Sequence, residues 1–232
     1  MTGTIKRFAV SLVVMVLSSG CVLQRQYNAT EAYDQGMAEY YSGNYTSADQ
    51  YFKWALDLKK EYGSAMVGRA QCQLQFAKEN FASHNTGAAL LNLEEALYWA
   101  NLAVDGDPGN PRSTQVRVDI LKLKGQIERG IKTAQWGVNV QGPNADSLLL
   151  MAKTYEDAGS YDEAEVAYKQ AIAVAPGNVE VRVKAGRFYE KIGKRDLALI
   201  QYEEAWQLDP SNEDVQIKIS ELGGVPSEGQ AQ

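Results

Sequence analysis

The feature that most constrains this chain is that it repeats itself. Residues 145–178 lie over residues 179–212 without a gap, placing Ala152 on Gly186, Tyr155 on Tyr189, Gly159 on Gly193, Ala164 on Ala198, Tyr168 on Tyr202, Ala171 on Ala205 and Pro176 on Pro210. A fixed period of 34 residues marks stacked supersecondary units, none of which buries its apolar face alone. Each unit reads as a helix, a turn at glycine, and a second helix stopped by proline. Glycine and alanine let the paired helices approach, and the rings fill the space between successive units.

The same frame extends toward the N-terminus. Residues 29–62 carry Gly36, Gly43, Ala48, Phe52 and Ala55 at the marked positions, with Glu39 where later units have a tyrosine. Residues 63–110 form a second unit with Ala70, Ala96, Ala100 and Ala103, lengthened by 14 residues near 75–92. Residues 111–144 are a degenerate third unit with Gly130 and Gly137 where alanine is usual, and residues 213–222 read as a lone capping helix before a tail at 223–232. Asn110 before Pro111 predicts a capped helix start, and Ser160 with Glu163 predicts a capping box.

A period of 34 with these residue types resembles the tetratricopeptide repeat. The resemblance implies an all-α fold: a right-handed α-solenoid of about five helix-turn-helix units plus a C-terminal capping helix, spanning 29–222. It also implies a protein or peptide partner in the concave groove, which is lined mainly by the first helix of each unit. In the first unit that carry-over falls on Tyr33, Met37, Tyr40 and Tyr41, residue types that bury much area for little entropy. Either they form a binding surface, or Tyr40 turns inward to replace the ring missing at Glu39.

The matching positions in later units, among them Gln115, Asp119, Lys122, Leu149, Lys153, Glu156, Val183 and Arg187, mix charges and read as a solvated face. Paired lysine and asparagine that would clamp a chain terminus are absent from the first unit. The insertion is either a partner-contact loop presenting Phe81 or a longer helix pair. Cys72 reads as a small packing residue, the lone His84 is not a ligand set, and the four tryptophans (Trp54, Trp99, Trp136, Trp206) fall in second helices as packing between units.

The start of the chain points to the cell envelope. Lys6 and Arg7 precede an apolar run from Phe8 to Leu17, too short for a membrane span and suited to an export signal over 1–20. Residues 17–21, LSSGC, resemble the lipobox of bacterial lipoproteins, with Ser18 where leucine is usual. The resemblance implies lipidation of Cys21, a short linker over 21–28, and, with Val22 next, an outer-membrane anchor facing the periplasm. An ordinary cleaved signal would leave Cys21 unexplained.

A net charge of −6 argues against a nucleic-acid partner. No phosphate loop, nucleophile elbow or metal-binding spacing is present, so neither catalysis nor a cofactor is expected. The sequence reads as a non-enzymatic scaffold that assists assembly or recruitment of envelope proteins, with a self-associating structural protein as the alternative.

Overall fold

The computed structural model describes residues 28–224. Among them the chain forms α-helices and no strand: α1 (Ala29–Tyr41), α2 (Tyr45–Leu58), α3 (Gly63–Ala82), α4 (Thr86–Gly106), α5 (Pro111–Leu123), α6 (Ile127–Gln141), α7 (Ala145–Ala158), α8 (Tyr161–Val174), α9 (Val179–Lys191), α10 (Arg195–Leu208) and α11 (Glu213–Glu221). Odd and even helices pair in antiparallel hairpins, and successive odd helices also touch one another. The odd helices therefore share one face of a solenoid. The export signal, Cys21 and the end of the tail lie outside the described residues.

Helix starts are fixed by asparagine. Asn28, Asn110, Asn144, Asn178 and Asn212 each accept a backbone N–H from the first turn of α1, α5, α7, α9 and α11. Each such cap contributes about 1 kcal/mol by satisfying a donor that the helix cannot pair internally. The capping box expected at Ser160 does not form, because Ser160 makes no side-chain cap at α8. Its backbone (ψ 70) departs from the extended conformation of caps such as Asn28 with ψ 167 and Asn144 with ψ 166. The short serine does not reach a first-turn N–H from there, whereas the longer Asn85, with a similar backbone (ψ 67), caps α4. The ends of α8 and α10 are set by proline: Ala175 and Asp209 leave helical conformation just before Pro176 and Pro210.

The insertion in the second unit is helix rather than loop. Helices α3 and α4 have 20 and 21 residues against 13 and 14 in α1 and α2. The extra residues thus divide evenly and add about two turns to each partner. Only Ser83, His84 and Asn85 connect them. Phe81 belongs to the last turn of α3 and is half-buried against the α3–α4 core, which corrects the picture of a contact loop presenting it. A polar ladder ties the extension together: Asn80 donates to Asn92 at 3.0 Å, and Asn92 donates to the buried Gln73 at 2.8 Å.

His84 has a structural explanation. The turn between paired helices uses a left-handed residue, Gly43, Gly125, Gly159 and Gly193 in the other units, and His84 (φ 59) occupies that place in the second. A side chain in this conformation costs about 1–2 kcal/mol. Part of that cost returns through the unfolded-state entropy of glycine. We expect His84→Gly to raise the unfolding free energy by about 0.5–1 kcal/mol, read from urea denaturation followed by helical circular dichroism; a loss would contradict the strain.

The core follows the wedge pattern. Phe52 is fully buried, and a Cβ added to Gly36 or to Gly68 would meet its ring at 2.6 or 2.7 Å. One ring therefore seats against both α1 and α3. Tyr202 plays the same part against Gly186, where an added Cβ would meet the ring at 2.8 Å. Tyr168 packs on Phe188 with ring centroids 4.8 Å apart. Of the tryptophans, Trp99 packs between the first two units under Arg69, 4.4 Å from guanidinium carbon to ring centroid. Trp206 packs on the core of the last two units, whereas Trp54 is 38% exposed beside Tyr51 on α2.

Candidate functional site: the concave groove

The tyrosine-rich face of the first unit is largely committed to packing. The Tyr33 ring lies 5.7 Å from Phe52 and 5.4 Å from Tyr62, and Met37 packs on the Ala48–Phe52–Cys72 cluster. Tyr40 turns inward, accepting a hydrogen bond from Gln75 of α3 at 3.1 Å with its ring 5.2 Å from Tyr45. Burial raises the pKa of both Tyr33 and Tyr40. Of the four, Tyr41 is the one that stays open, at 75% exposure. Cys72 is buried beneath this cluster. Burial, and then the nearby Asp49, push its thiol up to about 12, so it is protonated and inert at neutral pH.

The large concavity lies elsewhere. A groove of about 770 Å³ runs across α5, α7 and α9, the first helices of the third, fourth and fifth units. Its buried lining combines small residues, Thr114, Ala134, Gly137, Ser147 and Thr154, with the larger Leu149, Tyr168 and Phe188. Ala134 stands where the first, fourth and fifth units carry Phe52, Tyr168 and Tyr202. The degenerate unit thus lacks the ring of those three units, as the second does at Ala100, and Ala134 is among the residues that line the groove. Gly137 is held close as well, since an added Cβ would meet Thr114 at 2.8 Å.

The rim is ionic and cross-linked between helices. Lys122 of α5 pairs with Asp157 of α7, which also holds Lys153 at 3.0 Å. Glu156 of α7 accepts from Lys153 and from Lys191 of α9, each at 2.9 Å, and from the Tyr168 hydroxyl at 2.9 Å. Burial alone would raise the pKa of Glu156, but the bonds from Lys191, Lys153 and Tyr168 outweigh it and hold the carboxyl below the usual range. Asp157 is likewise lowered, its burial offset by Lys122 and Lys153. Both are ionised at neutral pH. Glu190 repeats the arrangement one unit later, accepting from the Tyr202 hydroxyl and from Lys218 of α11.

These bonds tie neighbouring odd helices across the concave face, so the wall is pre-organised rather than a set of loose surface charges. Gln115, Asp119, Lys122, Leu149, Lys153, Glu156 and Arg187 all line the groove. Their mixed charges read as a solvated face while each helix is taken alone. The structure brings them together and leaves Tyr33, Met37, Tyr40, Tyr41 and Phe81 outside the groove lining.

Sequence profiles of the tetratricopeptide repeat match residues 33–78 and 155–216. Among solved structures, a thermophilic TPR protein of Thermus thermophilus aligns with a TM-score of 0.62 at 22% identity, covering 84% of this chain and 98% of that one. PilW, a type IV pilus biogenesis factor, aligns with a TM-score of 0.62 at 12% identity, covering 84% of each chain. A tetratricopeptide repeat protein from Parabacteroides merdae gives 0.57 at 15% identity, covering 84% of this chain and 72% of that one. At these identities the likeness is one of fold. A comparison with curated proteins returns no match.

Proposed function

We propose that this array of tetratricopeptide repeats is a non-enzymatic scaffold that holds a protein partner in its concave groove. The observation that carries the reading is the groove over α5, α7 and α9, walled by helices that inter-helix ion pairs keep in place. A pre-organised concave surface loses little freedom on binding, which is what a recruiting site requires.

The setting we propose is the cell envelope, with the chain tethered through lipid on Cys21 at the periplasmic side of the outer membrane and serving pilus, secretion or outer-membrane assembly. The lipobox-like LSSGC supports the anchor, and two or more acyl chains would make it stable. The fold shared with PilW, a type IV pilus biogenesis factor, supports that family of roles. Incorporation of labelled fatty acid in the native host, lost on Cys21→Ala, is the expected result for the anchor; unchanged labelling would remove it.

The scaffold itself is tested by affinity purification of the full chain from the envelope. Gln115→Trp, which puts a bulky ring into the groove, is expected to lose the partner, while Ile200→Trp on the exposed face of α10 keeps it. Retention by both variants, or recovery of nothing but further copies of the chain, would favour the self-associating alternative.

A further inference from the structure

We infer that the occupant of the groove is an extended acidic segment, gripped at two points by Arg112 and Arg187. This inference rests on the scaffold reading and names the chemistry of the partner. Five cations line the groove, Arg112, Lys122, Lys153, Lys184 and Arg187, against three carboxylates, Asp119, Asp146 and Glu156. Two further carboxylates, Asp157 and Glu180, pair with the lysines at its edge, so what distinguishes the groove is which cations are left without a carboxylate.

The cations divide into two kinds. Lys122, Lys153 and Lys184 already hold carboxylates of the protein, Asp157, Glu156 and Glu180 among them. They build the wall. Arg112 and Arg187 enter no ion pair with the described residues, and both are exposed. A guanidinium presents a planar fork of donors that matches a carboxylate bidentately, and it is more weakly hydrated than an ammonium, so an unpaired pair of arginines in a concave site is suited to carboxylate capture.

Their spacing sets the ligand's length. Arg112 lies in the first turn of α5 and Arg187 two odd helices away on α9, seven residues further along its helix frame. With helix axes about 8–10 Å apart and about 1.5 Å of rise per residue, the helix positions that carry the two arginines are separated by roughly 20 Å. About six residues of extended chain span that distance. The segment would carry acidic side chains near both ends, with uncharged residues crossing the buried lining that includes Thr114, Ala134 and Ser147.

The test uses the purified full chain and fluorescence anisotropy with labelled eight-residue peptides, amidated at the C-terminus. One peptide carries glutamates near both ends and the other has glutamine in their place. At low salt the glutamate peptide is expected to bind at least tenfold more tightly. The double variant Arg112→Gln/Arg187→Gln is expected to abolish that preference, with helical circular dichroism unchanged, whereas Lys132→Gln on α6 leaves it intact. Equal binding of the two peptides would overturn the inference, as would a preference equally weakened by Lys132→Gln, or binding that appears only with a free C-terminal carboxylate. If groove-blocking variants still lose an envelope partner while no acidic preference exists, the charge rule fails and the scaffold reading stands.

Discussion

Replacing Phe52 by alanine is expected to cost about 3–5 kcal/mol of unfolding free energy, the range for deleting a fully buried aromatic ring. The ring is 0% exposed and lies against Gly36 of α1, Gly68 of α3, Ala48 of its own helix, and Cys72. Neither glycine has a side chain that could relax into the void, so the cavity would stay largely open. Because each repeat unit contacts chiefly its neighbours, the damage should be local. Urea titration should show the first two hairpins melting early, and amide exchange should rise in α1–α3 while α7–α10 stay protected. A loss below about 1 kcal/mol would mean that the ring is not the wedge between these helices.

The second large effect concerns the opposite side of a wedge. Gly186→Ala adds a methyl group 2.8–3.1 Å from three carbons of the Tyr202 ring. That ring is 0% exposed, and its hydroxyl donates to Glu190, so it cannot step aside. An alanine in a helix interior ordinarily gains about 1 kcal/mol over glycine, but overpacking a filled core costs about 1–3 kcal/mol, and here the second term wins. Gly130 supplies the contrast. Its nearest neighbours would lie 3.8 Å from an added Cβ, an ordinary contact. Gly130→Ala should therefore stabilise by up to about 1 kcal/mol. Thermal melts of the two variants should move in opposite directions, and shortening the ring in Gly186→Ala/Tyr202→Leu should recover part of the loss.

Much of this architecture is legible in the sequence because packing at fixed intervals demands fixed residue types. Gly36, Ala152, Ala164, Gly186 and Ala198 announce the close approach of helices, and Phe52 and Tyr202 announce what fills it. The asparagine caps are legible too: Asn28, Asn110, Asn144, Asn178 and Asn212 each stand one residue before an odd helix. They are easily passed over because a lone asparagine is as common in turns as at caps.

The groove is harder to read for a physical reason. Along one helix, Lys153 with Glu156 and Asp157 is an ordinary surface pair at three or four residues. Its meaning changes only when α5 and α9 are laid alongside, so that Lys122 reaches Asp157 and Lys191, 35 residues away, reaches Glu156. The third unit carries the other signal. A repeat with alanine at 134 and glycine at 130 and 137 looks decayed in a one-dimensional comparison, and in three dimensions Ala134 and Gly137 line the groove. In the first unit the reverse holds. Tyr33, Met37 and Tyr40 have the composition of a binding face, but with no ring at Glu39 their area goes into the local core.

The central claim is that the face shared by α5, α7 and α9 is where a partner sits. A photo-reactive residue placed singly at Gln115, Asp146, Tyr41, Leu91 or Ile200 of the full chain, activated in cells of the native host, tests it directly. Gln115 and Asp146 line the groove, Leu91 (73% exposed) lies on the extended second hairpin, and Ile200 lies on α10. One and the same adduct is expected from Gln115 and Asp146, and none from Ile200. Adducts from Leu91 or Ile200 with none at the two groove positions would contradict it.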